Sequence, residues 1–272
     1  MKSVTLRKAP LTALMAFCGL ALSTPARAQD DATKTAELAK ELQNPIASLI
    51  SVPIQNNWDF GIGPADAMRY TMNIQPVIPF ALSDDWNLIS RTILPVIDAE
   101  SPTAGGDDKF GWGDTLQSLF LSPSRPTSSG LIWGAGPVLL LPTGTDGLSG
   151  DEWAAGPTAV LLKQDGPWTR GLLANHLWSF AGHGAGSVNA TFFNPWLSYT
   201  TKTSTTFSVQ AEATYDWDQS QWTVPVSAAV GQLFNPGGQP VDLSLGVRYY
   251  VEKPEGGPEW GLFFQVTFLF PK

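Results

Sequence analysis

Charge is scarce in this chain. Asp, Glu, Lys and Arg make up 15% of its 272 residues, against roughly a quarter in soluble globular proteins, while the apolar share is an ordinary 43%. The charge present leans acidic, 24 carboxylates against 16 Lys and Arg for a formal −8. That balance lacks the basic footprint needed to displace phosphate counterions and excludes nucleic acid as a partner. Cysteine is limited to Cys18, and histidine to His176 and His183. No His, Cys and carboxylate residues fall at metal-ligand spacing, so neither a metal nor a cofactor is expected. Long hydrophobic runs are missing after residue 28, where the longest, such as Val138 to Leu141, reach four or five residues. No helix there can cross a bilayer. Aromatics are not scarce: 11 Trp, 14 Phe and 5 Tyr exclude a disordered chain, which could not leave them in water.

The exception to these absences is the first segment. Lys2, Arg7 and Lys8 precede an apolar core from Leu11 to Leu22, and Ala26-Arg27-Ala28 is a small-x-small cleavage site, the pattern of an export signal. A core of 12 residues is too short for an anchor of about 20. Cleavage after Ala28 removes Cys18 and takes the formal charge from −8 to −12 through loss of Lys2, Arg7, Lys8 and Arg27. The exported product is then free of cysteine, and disulfides are excluded.

Residues 29–46 form a helical segment, centred on Thr33 to Asn44. Ala39 and Leu42, and Leu38 and Leu42, share a face, and Pro45 is the stop. It is read as a short amphipathic lead-in packed on the region C-terminal to it, with a plug or a periplasmic contact as the alternative. From residue 47 to 272 the pattern has period two. Ser51 to Phe60 places Val52, Ile54, Trp58 and Phe60 opposite Ser51, Gln55, Asn57 and Asp59. Tyr70 to Phe80, Thr205 to Asp216, Val241 to Glu252 and Trp260 to Phe270 alternate in the same way. Seven less regular strands are read at 86–97, 110–122, 131–142, 153–163, 168–180, 188–200 and 222–232. The total is twelve, each of about 10–12 residues, the length a tilted strand needs to span a bilayer.

Two patterns separate a membrane barrel from a soluble sandwich. Trp58, Trp86, Trp112, Trp153, Trp168, Trp217, Trp222 and Trp260 lie at or near strand ends, where aromatic girdles meet headgroups. Connections also alternate: of 61–69, 98–109, 142–152, 181–187, 216–221 and 252–259 several are long, Gly-rich or acidic, while 81–85, 164–167 and 201–204 are tight, although 123–130 and 233–240 are not. The sequence therefore predicts an all-β, antiparallel, up-and-down transmembrane β-barrel with a short N-terminal helix, located in the cell outer membrane. Its expected surroundings are outer-membrane lipid and lipopolysaccharide. The low charge count fits, since charge on a lipid-facing strand costs about 2–4 kcal/mol at the midplane.

The strings ELAKELQNPIASLISVPIQNNWDFGIGP, NIQPVIPF, DDWNLISRTILPVI, GWGD and the ending GLFFQVTFLFPK resemble the proteobacterial outer-membrane family named for the phenol meta-cleavage degradation pathway. The resemblance covers nearly the whole exported chain. It implies an outer-membrane β-barrel that transports small organic solutes, aromatic ones among them. One departure is that Phe270 is followed by Pro271 and Lys272, whereas the outer-membrane assembly machinery recognises a terminal aromatic.

The polar faces of the clear strands supply the candidate lumen: Gln55, Asn57, Asn73, Gln75, Gln210, Glu212, Asp242, Arg248, Glu252 and Gln265, with Arg91 added on charge. Mixed arginine and carboxylate across a lumen select small polar solutes. Twelve strands lie between the eight that side chains fill and the sixteen that leave an aqueous channel. The reading is a passive channel or transporter for a small-molecule solute, not an enzyme. The alternatives are a closed structural barrel and an outer-membrane lipid-modifying enzyme with His176 as general base, although no Ser stands in a recognisable nucleophile setting.

Overall fold

The computed structural model describes residues 25–184 and 186–271, with side chains from Thr33 onward. The charged start and apolar core of the export signal, with Cys18, lie outside the described residues. A helix, α1 (Pro25–Glu41), leads into twelve strands. These are β1 (Ile50–Ile62), β2 (Ala67–Ile74 and Val77–Ala81), β3 (Trp86–Ala99), β4 (Lys109–Trp112 and Thr115–Pro123), β5 (Leu131–Leu141) and β6 (Glu152–Asp165). They continue as β7 (Trp168–Gly182), β8 (Asn189–Thr200), β9 (Thr205–Ala211 and Ala213–Asp216), β10 (Gln221–Phe234), β11 (Val241–Glu252) and β12 (Trp260–Phe270).

Every strand pairs antiparallel with its sequence neighbours, and β12 pairs with β1 from Ile50 opposite Phe270 to Phe60 opposite Trp260. The ring is closed, so no polar strand edge meets lipid. Both ends of the barrel-forming chain lie at the end with the shorter connections, the periplasmic end in barrels of this kind. The outer face carries Val226, Val230, Leu243, Leu245, Val247 and Leu262, all exposed. Aromatic pairs mark its rims: Trp86 with Trp133 and Trp168 with Tyr199 at the periplasmic end, Phe60 with Trp260 and Tyr215 with Trp222 at the other.

The interior is divided. On the side of β3 to β8, Ile89, Phe120, Val138, Val160, Leu162 and Leu173 point inward and are buried, with Phe192 and Trp196 packed on that cluster. Glycines let aromatics lie against the wall: a side chain at Gly171 would run into the Trp196 ring, and one at Gly246 into the Phe263 ring. On the other side the inward positions of β1, β2, β9, β11 and β12 are mainly polar.

The helix does not lie outside the barrel. Ala39, Ala47 and Leu49 are buried with Leu233 and Leu269, two inward residues of β10 and β12. Ile46 enters the apolar cluster of Val77, Ile89 and Phe120. On the opposite wall Gln164 Nε2 donates to the Lys40 carbonyl at 2.8 Å. The end of α1 and residues 42–49 thus bridge the periplasmic mouth from within. The helix ends at Glu41, three residues before the expected Asn44, because Gln43 N and Asn44 N turn back to the Lys40 and Glu41 carbonyls ahead of Pro45.

Candidate functional site

The inward polar residues are joined by hydrogen bonds that run around the wall and across the lumen. Arg91 Nη2 on β3 donates to Gln75 Oε1 at 3.0 Å, Gln75 Nε2 to Gln55 Oε1 at 2.9 Å, and Gln55 Nε2 to Asn57 Oδ1 at 3.0 Å. Arg248 Nη2 on β11 reaches the same Asn57 Oδ1 at 3.1 Å and Glu212 Oε2 on β9 at 3.2 Å. Its Nη1 lies 3.5 Å from Asp59 Oδ1, which also accepts from the Tyr250 hydroxyl at 2.9 Å. Asn57 Nδ2 is spent on the Thr71 carbonyl at 3.0 Å, fixing its amide orientation. Side chains of Arg248 and Asp59 are about nine-tenths buried, so each charge depends on the other for its stability.

Between this network and α1 lies a cavity of about 250 Å³. Its wall includes Gln55, Gln75, Arg91, Gln210, Glu212, Asp242 and Gln265 from the strands, and its floor is residues 41–45. Asp242 accepts from the Ser244 hydroxyl at 2.7 Å, and Gln265 Nε2 donates to Thr267 Oγ1 at 3.0 Å. Of the remaining expected residues, Asn73 lies opposite Gln55 in register and so faces inward, and Asn57 and Arg248 stand in the network above.

Glu252 is placed differently. A register shift between Val224 and Pro225 pairs Pro225 with Tyr250 but Val224 with Glu252, so the alternation of β11 breaks after Tyr250. Glu252 is exposed at the strand end, outside the network, and Tyr250 takes the inward place above Arg248. Asp59 and Tyr250, which hold Arg248, were absent from the sequence-derived set. Asp59 carried the same signal as Asn57, two positions away on one face, whereas Tyr250 stands at the phase of Arg248 but carries no charge to single it out. Asn194 and Trp196, also lining the cavity, come from a strand on which polar and apolar residues are mixed on both faces.

His176 faces outward on β7, opposite Thr191. Its Nδ1 is 2.7 Å from Thr191 Oγ1, a hydroxyl that accepts from Trp217 Nε1 at 2.8 Å, and its ring centroid is 3.9 Å from that of Trp178. Among the described residues no serine hydroxyl is bonded to it. His183 N donates to the Asp151 carbonyl in an outer connection. The loop 142–151 is organised by Asp114, whose carboxylate accepts from Gly144 N, Ser149 Oγ and Gly150 N.

A closed barrel with an apolar exterior, aromatic rims and a polar interior defines the class: this is an outer-membrane β-barrel. No family model and no curated protein sequence matches the chain. Among solved structures, it is similar to the COG4313 outer membrane channel from Pseudomonas putida F1, at 17% identity and a TM-score of 0.65 over 82% of this chain and 94% of that one. It is also similar to the outer membrane phospholipase of Salmonella typhi, at 12% identity and 0.48 over 87% and 97% of the two chains. Outer membrane phospholipase A from Escherichia coli aligns at 11% and 0.47 over 80% and 95%. The channel likeness is one of fold.

Proposed function

We propose that this barrel is a passive outer-membrane channel for small polar organic solutes, held closed at its periplasmic end by α1. The observation that carries the reading is the polar chamber between α1 and the Arg248 network. A barrel whose interior served only as packing would be filled throughout, as the β3 to β8 side is filled by Ile89, Phe120 and Leu173. The other side is left hollow and is lined by hydrogen-bonding groups. The similarly folded Pseudomonas putida protein is an outer membrane channel, which is in keeping with this. The resemblance to the phenol meta-cleavage family adds aromatic solutes to the candidates.

In this reading the chain is exported on residues 1–28, processed after Ala28, and inserted by the outer-membrane assembly machinery. The segment 29–46 then closes the barrel formed by 47–272. Liposome swelling by the refolded chain in a series of small solutes tests the function. Uptake that falls off with solute size supports the channel, and swelling no faster than that of empty liposomes rejects it.

A further inference from the structure

The chamber contains charged groups that make no direct ion pair among the described residues. The Arg91 guanidinium has five N–H donors and gives one to Gln75 at 3.0 Å. Among the described residues no carboxylate lies within 4.0 Å of it, and Glu212, whose charge acts on it from farther away, is already paired with Arg248. Trp196 also lines the chamber, with its Nε1 buried away from the open space. Arg91 is part-exposed and lines the chamber, so its remaining donors are offered to an acceptor from outside the chain.

The acidic side is unmatched in the same way. Asp242 is buried, its carboxylate bonded to the neutral Ser244 hydroxyl and to no basic side chain among those described. Glu41 at the end of α1 also lines the chamber, exposed and without an ion-pair partner among the described residues. Glu212 also lines the chamber, but its charge is met by Arg248 at 3.2 Å.

These groups discriminate between solute classes. A neutral solute can hydrogen-bond to either side but carries no charge to match either. An anion meets Arg91 but is repelled by Asp242 and Glu41, and a cation meets the two carboxylates but is repelled by Arg91. A molecule carrying both charges meets both. We propose that the chamber is a binding site for a small zwitterion, a carboxylate and a protonated amine separated by a few carbons. Arg91 holds the carboxylate, and Asp242 and Glu41 hold the amine. A cavity of about 250 Å³ admits such a molecule and no large one. The proposal rests on the interior being the solute path.

Isothermal titration of the full refolded chain in detergent with β-alanine, propionate and propylamine tests it, because the three share a three-carbon skeleton and differ in charge. The expected result is β-alanine binding at least tenfold more tightly than either relative. Arg91→Gln should bring β-alanine down to the level of propylamine, and Asp242→Asn should lower it toward propionate, each in protein that still shows the heat-modifiable gel shift of a folded barrel. Equal affinity for the three compounds, or no binding of any of them by the unsubstituted chain, overturns the proposal without recourse to the variants. Ion conductance, measured separately, keeps the two readings apart. A conducting barrel without preference for β-alanine loses this site but keeps the channel, and a non-conducting barrel that prefers β-alanine does the reverse.

Discussion

Arg248 and Asp59 meet over a glycine. Both stand opposite Gly261 in the sheet, one on each side of it, and their side chains close to 3.5 Å above the space a larger residue would fill. A Cβ at position 261 would lie 2.6 Å from Asp59 Oδ1 and 2.7 Å from the Trp58 carbonyl. The backbone of β12 therefore sets the reach of a charge pair between β11 and β1, and through Arg248 the position of Glu212 on β9.

Removing Arg248 leaves Asp59 and Glu212 without their cation. Arg248→Ala is expected to lower unfolding free energy by about 3 kcal/mol, the scale on which breaking one side of a buried pair acts. Gly261→Val should lose a comparable amount with both charges still present, because it separates them. Urea unfolding in lipid vesicles measures both.

The outer face responds to charge in the opposite sense. Leu245 is 58% exposed in the middle of β11, on the lipid side. Leu245→Arg should cost about 2–4 kcal/mol in a bilayer. Its inward neighbour Ser244, changed to Ala, loses one hydrogen bond to Asp242 and should cost about 1 kcal/mol. The same urea titration distinguishes them.

His176 tests the alternative chemistry. With Nδ1 on Thr191 and its ring against Trp178, it is placed as a wall residue of the outer rim. Purified chain and His176→Ala should release fatty acid from phospholipid vesicles at the same background rate. Release by the unsubstituted chain that the substitution abolishes would instead make the barrel a lipid hydrolase.

The twelve strands were legible because alternation survives wherever one face meets lipid and the other meets polar neighbours, as in β1 and β12. It blurred in β3, where Ile89 and Ile93 share a face with Arg91. The structure supplies the reason: Ile46 from the plug segment gives Ile89 an apolar partner inside the barrel, so inward no longer means polar. The chamber could not be read for the same reason. Its floor, residues 41–45, comes from a segment whose amphipathic pattern reports that it packs on something but not on which side of the wall. Glu252 was misplaced by a bulge that no residue type announces.

The plug is where a closed channel and a merely packed barrel differ most. Planar-bilayer conductance should be compared between the exported chain and a variant lacking residues 29–44, both refolded and heat-modifiable. A plugged channel predicts small or intermittent conductance for the former and a several-fold larger, sustained conductance for the latter, since Ala39 and Lys40 would no longer bridge Leu233 and Gln164 across the mouth. If both barrels are equally silent, the interior is not a solute path and the channel reading is wrong.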